Sequence, residues 1–314
     1  MSWFFRSREK VEGLTTPMDA AAIVRRARRL RFRVRPGALA ALSGAYLGAR
    51  PGVGLTFAEL RAYEPGDDVR HIDWNVTARQ GRPYVRRFIE ERSLTLWLIV
   101  DVSASLRFGA QGRTKADRGA QAAALLATAA IRNGDRVGLA MVSDRVELEL
   151  APGGGDRHLA RVVRALVATP TASRMTDLAM GLTPLRRKSR RALVVVLSDF
   201  LGGDGEALAT GVWRRASRRH EVMALRLVDP REEALPEAGL IDLEDAESGA
   251  RMLVDSGSRR VRENYARAAA ERRGRFLRWC STTGIVGHEI STASDPISPL
   301  VRIFEGRGAA RGRK

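Results

Sequence analysis

Short, wholly apolar runs alternate with amphipathic stretches through most of this chain, and two of the apolar runs end in acid. Leu94 to Val100, interrupted only by Thr95, reads as a buried strand that leads straight into Asp101-Val102-Ser103-Ala104-Ser105. Ala192 to Leu197 is a second such strand and ends in Ser198-Asp199. Between them the spacing predicts an alanine-rich helix over Lys115 to Arg132 that stops near Asn133-Gly134, and a hairpin of Val137 to Ser143 with Val146 to Leu150. Helices over Asp156 to Ala168 and Thr176 to Arg187 follow. After the second strand come a helix over Asp204 to Arg219, a strand over Val222 to Val228, a long basic helix over Ser258 to Ser281, a strand over Val286 to Ser291 and a closing helix over Ile297 to Phe304. Alternation of this kind predicts an α/β fold, a mostly parallel sheet with helices on both faces and right-handed crossovers, with the hairpin giving one antiparallel edge strand.

The rhythm fails in two places. Pro230 to Gly257 carries Glu232, Glu233, Glu237, Asp242, Glu244, Asp245 and Glu247 and reads as an acidic inserted loop or small β-segment. The first 90 or so residues are different again. Ile23, Ala27, Leu30 and Val34 stand at helical spacing among arginines, yet Arg31 to Arg35 alternates equally as a strand, and Gly37 to Gly54 reads as turns. The expected organisation is a smaller N-terminal basic segment over 1–92, an α/β domain over 93–305 with its acidic insertion at about 230–257, and a disordered basic tail over 306–314.

A chain of 314 residues, 44% of them hydrophobic, can fill one large core with a smaller attachment. Its 54 basic residues against 36 acidic ones give a formal charge of +18, which draws acidic partners, nucleic acid or anionic membrane. The single cysteine, Cys280, excludes an internal disulfide and suits a reducing compartment. With neither a signal-peptide core nor a run of 18 apolar residues, the expected location is the cytoplasm.

Two strand ends deliver carboxylates to one sheet edge, where open α/β sheets bind their ligands. Asp101, Ser103 and Ser105 offer one charged and two neutral oxygens on a tight turn, Asp199 adds a second carboxylate, and Thr176 can bring a further hydroxyl. Such donors suit Mg2+, with Mn2+ as a substitute, rather than zinc. Two carboxylates about 4 Å apart repel by roughly 4 kcal/mol at an effective dielectric of 20, and a divalent ion reverses that sign. The same residues are also the ordinary makings of helix N-caps.

Asp101-Val102-Ser103-Ala104-Ser105, with Thr176 and Asp199, resembles the metal-ion-dependent adhesion site (MIDAS) of von Willebrand factor type A domains, and the element order from Leu94 to Phe304 is similar to that fold. Upstream, the string from Glu59 to Trp74, continuing to Ala78-Arg79, looks like the signature of the bacterial family known as domain of unknown function 58. Glu90-Glu91-Arg92, Asp255 and Arg262 extend that resemblance. It implies a von Willebrand factor A-like domain that works with a MoxR-type AAA+ ATPase, as an adaptor in chaperone-like maturation or assembly of other proteins. It also implies that Asp101, Ser103, Ser105 and Thr176 hold the metal, that Asp199 often acts through water, and that a protein client's Glu or Asp completes the sphere. Many relatives carry N-terminal membrane spans, which this sequence lacks, so anchorage does not carry over.

Around Pro65-Gly66 crowd Asp67, Asp68, Arg70, His71 and Asp73. They read as a reactive cluster or, in preference, as an ion-pair network of Arg61, Arg70 and Arg79 with Asp67, Asp68 and Asp73, with Tyr63 and Trp74 as apolar anchors. Enzyme readings fare poorly. A haloacid-dehalogenase-type phosphotransferase needs an aspartate where Ser103 stands, and neither a Gly-x-Ser-x-Gly elbow nor a P-loop is present, so no catalytic residues are expected. The rival from another class is a nucleic-acid-binding protein using its basic surface, including Arg186-Arg187-Lys188-Ser189-Arg190-Arg191, against which stands an aromatic content of only 6%.

Overall fold

The computed structural model of the protein describes residues 3–6, 56–64, 67, 69, 72–89, 94–109, 114–168, 173, 175–187, 191–201, 210–245 and 249–311. The chain divides into two compact units, Arg50–Leu94 and the remainder. Strand β1 (Trp3–Arg6) lies in the larger one.

In the smaller unit, β2 (Thr56–Ala62) and β3 (Tyr84–Ile89) pair antiparallel, with helix α1 (Trp74–Gln80) between them. Asp73 caps α1, accepting from the Asn75 and Val76 amides at 3.0 and 3.2 Å, as a short acidic side chain does at a helix start. Gly81, at φ 70°, closes the helix. The Arg61–Asp67 pair expected from the sequence is present at 2.7 Å, with Glu64 joining Arg61 at 3.3 Å. Trp74 corrects the sequence reading. It was expected as an apolar anchor but is 69% exposed, on a helix that has no buried residue. Pro65, Gly66, Asp68, Arg70 and His71 lie outside the described residues, as do the segments over 18–34 and 37–54.

The larger unit runs β4 (Thr95–Asp101), a 3-10 turn (Ala104–Arg107), α2 (Lys115–Arg132), β5 (Arg136–Val142), β6 (Val146–Gly153) and α3 (Gly155–Ala168). A 3-10 segment (Leu178–Arg187), β7 (Ala192–Ser198), α4 (Thr210–Arg219) and β8 (Glu221–Val228) follow. Then come the short α5 (Pro230–Glu233), β9 (Leu240–Asp245), β10 (Arg251–Asp255), α6 (Arg259–Thr283), β11 (Val286–Ser291) and α7 (Ile297–Arg311). The main sheet has the order β11-β8-β7-β4-β5-β6, and only β6 is antiparallel to its neighbour. This is the mostly parallel α/β architecture expected, with helices on both faces and one antiparallel edge strand.

Both faces of the sheet are covered, which is why its strands are apolar throughout. Leu96, Leu98 and Val100 pack with α2, α3 and α7, while Trp97 and Ile99, between them in sequence, pack with the 3-10 segment, α4 and α6. Helix α2 begins where a capping box of Thr114 and Asp117 satisfies its first amides. Gly138 on β5 lies under the wholly buried Trp97, whose Nε1 donates to Gly181 O at 3.0 Å. A methyl added at Gly138 would stand 2.2 Å from the indole, and the ring cannot swing aside without breaking that bond. Gly138→Ala is therefore expected to cost about 3 kcal/mol in urea unfolding, at the upper end of overpacking losses.

The segment read as a helix over Thr176 to Arg187 is a 3-10 coil from Leu178, with Pro184, which has no amide hydrogen, inside it. Gly181 presses so close to the sheet that an added Cβ would lie 2.6 Å from Ile99. The acidic insertion is a β-segment. Its strands β9 and β10 form a three-stranded antiparallel sheet with β1, so residues 3–6 pair with the insertion. Asp255 and Arg262 meet at the turn after β10, Asp255 accepting from the Gly257 amide and Arg262 donating to the Ser256 and Gly257 carbonyls. Helix α7 continues to Arg311, through residues read from the sequence as a disordered tail. No described helix is long and apolar enough to cross a membrane.

Candidate metal centre

The main sheet reverses its order at β4. The chain steps outward through β5 and β6, then returns to β7 and β8 on the other side, so the ends of β4 and β7 flank a topological switch point. Val100 pairs with Leu197, which makes Asp101 and Ser198 neighbours one residue further along. Both Asp101 oxygens are held: Oδ1 accepts from the Ser103 amide at 2.8 Å and Oδ2 from Ser198 Oγ at 2.6 Å. Ser103 Oγ and Ser105 Oγ stand 3.2 Å apart on the 3-10 turn, and all of these side chains are buried. The sequence therefore brings Asp101, Ser103 and Ser105 together as expected. Ser198 was seen only as part of a strand end, and its part here was missed.

The segment that carries Thr176 is tied to the same edge by the backbone of its neighbours Ser173 and Asp177. The Ala104 amide donates to Ser173 O at 3.0 Å, and the Asp177 amide donates to Ser143 O at 2.7 Å, just beyond β5. Thr176 itself is half-buried between them. Asp199 follows Ser198, near enough for its charge to bear on Asp101. Burial first, and then the Asp199 charge, push the Asp101 carboxyl up to about 6, against the pull of the Ser198 and Ser103 hydrogen bonds. Both effects disfavour the charged form of the Asp101 carboxyl.

Asp199 carries a partner that no sequence argument supplied. Its Oδ2 accepts from Lys115 Nζ at 2.6 Å, and the same ammonium donates to Glu232 Oε1 at 2.6 Å. Lys115 is fully buried at the first turn of α2, and Glu232 sits in α5 just after β8. Burial pulls the Lys115 ammonium down, but the two carboxylates outweigh it and hold it above its ordinary value. Burial pushes Glu232 up, against Lys115. A signal was available: a lysine at a helix N-terminus opposes the helix dipole and needs some other compensation.

The other Asp199 oxygen accepts from the Leu201 amide at 3.1 Å, so both oxygens are engaged. Phe200, between them, holds the left-handed region at φ 54°, rare for an aromatic residue, and its ring packs on Phe276 and Trp279 at 4.9 and 5.5 Å. Among the described residues no three His, Cys, Asp or Glu side chains gather as a metal-holding group. The oxygen-bearing side chains gathered at this edge are the carboxylates of Asp101 and Asp199 and the hydroxyls of Ser103, Ser105 and Ser198.

The family described as protein of unknown function DUF58 matches residues 59–275. An uncharacterised protein of Mycobacterium tuberculosis, Rv1480, is 36% identical over 309 residues, covering 95% of this chain and 93% of that one. One from Mycobacterium avium, MAV169, is 33% identical over 175 residues, 52% of this chain and 98% of that one. Among solved structures, the conserved hypothetical protein BatB from Bacteroides thetaiotaomicron is 12% identical with a TM-score of 0.46, covering 69% of this chain and all of that one. The SpRpn10 VWA domain is 12% identical with a TM-score of 0.37, covering 68% and 95%.

Proposed function

The chain belongs to the protein family of unknown function DUF58, and on that premise we propose that it is a non-enzymatic, cytoplasmic adaptor that grips other proteins through a divalent cation at the Asp101 edge. The observation that carries this reading is the buried Asp101 carboxyl, raised to about 6 beside Ser103 and Ser105 at the switch point of the sheet. Asp101, Ser103, Ser105 and Thr176 would hold the ion. Asp199, with both oxygens already engaged, is suited to act through water. Oxygen donors of this kind favour Mg2+, with Mn2+ as a substitute. Such an ion supplies an open coordination position for a carboxylate from another protein. The chain's net charge of +18 adds a field that draws an acidic client toward it.

The working partner in this reading is a MoxR-type AAA+ ATPase, with the adaptor presenting a client for maturation or assembly. Calorimetric titration of the full chain with Mg2+ tests the metal. Saturable binding that Asp101→Ala abolishes is the expected result, and no Mg2+ binding by the wild-type chain overturns the reading. A pull-down of the ATPase with and without chelator then tests the partnership.

A further inference from the structure

We propose, resting on the metal reading of the same pocket, that Lys115 and Glu232 tune its affinity for a divalent cation by setting how much negative charge the site carries. Lys115 Nζ bridges Asp199 Oδ2 and Glu232 Oε1, each at 2.6 Å, and the three side chains are buried together. Burial keeps solvent from screening these charges, and the Asp199 charge, which Lys115 and Glu232 set between them, bears on Asp101.

With Asp101 ionised, three carboxylates against one ammonium leave two negative charges, which a single divalent cation neutralises. The geometry holds this ratio firmly. The second Glu232 oxygen accepts from the Asp229 amide at 3.4 Å, and Glu232 O accepts from Arg272 at 3.1 Å. The Lys115 amide donates to Phe108 O at 2.8 Å, fixing the start of α2 beyond the Ser105 turn. Lys115 and Glu232 are thus positioning residues that act on the cation through Asp199 and through the field. They bias the pocket in opposite directions: the ammonium weakens cation binding, and the Glu232 carboxylate restores it by sharing that ammonium.

The test is the dissociation constant for Mg2+ by calorimetry, checked with Mn2+ by electron paramagnetic resonance, on the full chain at pH 7.5. Glu232→Gln keeps shape and a hydrogen bond to Lys115 but leaves the ammonium to Asp199 alone, and is expected to weaken Mg2+ binding about tenfold. Lys115→Met removes the ammonium and is expected to tighten binding about tenfold or more. A merely structural role would lower the melting temperature of both variants and shift neither affinity, or weaken both. If Lys115→Met does not fold, Glu232→Gln decides alone, and an unchanged affinity in that folded variant overturns the inference. Mg2+ binding by the wild-type chain that needs Asp101, with Glu232→Gln unaltered, sinks the role of Lys115 and leaves the metal reading standing. No binding by the wild-type chain or either variant sinks both.

Discussion

Lys115→Met should lower the stability of the metal-free protein by about 3–5 kcal/mol, the loss expected when one partner is taken from a buried ion cluster. The ammonium is fully buried, so its removal leaves the buried Asp199 and Glu232 carboxylates without the cation they share. The pair itself need not stabilise the fold much, since bringing both signs out of water costs nearly what their attraction returns. The double variant with Glu232→Gln should therefore recover part of the loss, and a double-mutant cycle in urea with chelator measures the coupling. The pH dependence has a definite sign. Without Lys115 the buried carboxylates are disfavoured in their charged form, so the deficit relative to wild type shrinks as pH falls and they take up protons. Saturating Mg2+ should return about 2.7 kcal/mol at a hundred times the dissociation constant. A loss under about 1 kcal/mol would show that water reaches this cluster.

What could be read from the sequence was whatever rests on local pattern. The runs from Leu94 and Ala192 are strands because a strand buried on both faces has no polar position to show, and the carboxylates at their ends stand where the sheet stops. The alanine-rich run over Lys115 to Arg132 gives α2, and the two strand-like runs on either side of Asp144-Arg145 give the hairpin with its antiparallel edge. Thus Asp101, Ser103, Ser105 and Asp199 could be placed at one edge from topology alone.

The rest depends on contacts far apart in sequence. Lys115 and Glu232 are 117 residues apart, and each has a bland local reading, one as a residue in a helix and the other as one acid in an acidic loop. The insertion hid its strands because β9 alternates buried Ile241, Leu243 and Asp245 with acids that look like loop composition. Its third strand, β1, comes from the other end of the chain. Thr176 to Arg187 kept helical spacing, but proline and close approach to the sheet wound it into a 3-10 coil. Trp74 misled because an aromatic residue is ordinarily a core residue, whereas its helix has no buried side.

Mg2+ affinity is expected to fall about tenfold for each pH unit below about 6 and to level off above it, so that about a hundredfold separates pH 4 from neutrality. Asp101 in the metal-free protein titrates near 6, where its ordinary value is 3.8. Below that pH the carboxyl holds a proton that a cation must displace, so one proton leaves for each ion bound. Titration at pH 5 in buffers of different ionisation enthalpy should show close to one proton released, and at pH 8 close to none. The same displaced value reverses sign for stability. A folded value above the unfolded one means the native state binds protons more tightly, so the metal-free protein loses stability as pH rises from about 4 to 6. The penalty, fully present above 6, is roughly 3 kcal/mol. Asp101→Asn keeps the shape without the charge, so in chelator it should be more stable than wild type at pH 8 and equal to it near pH 3.5, while binding no Mg2+. Equal stability of the two proteins at pH 8 would mean that the Asp101 pocket is solvated, and the electrostatic demand for a cation would disappear with it.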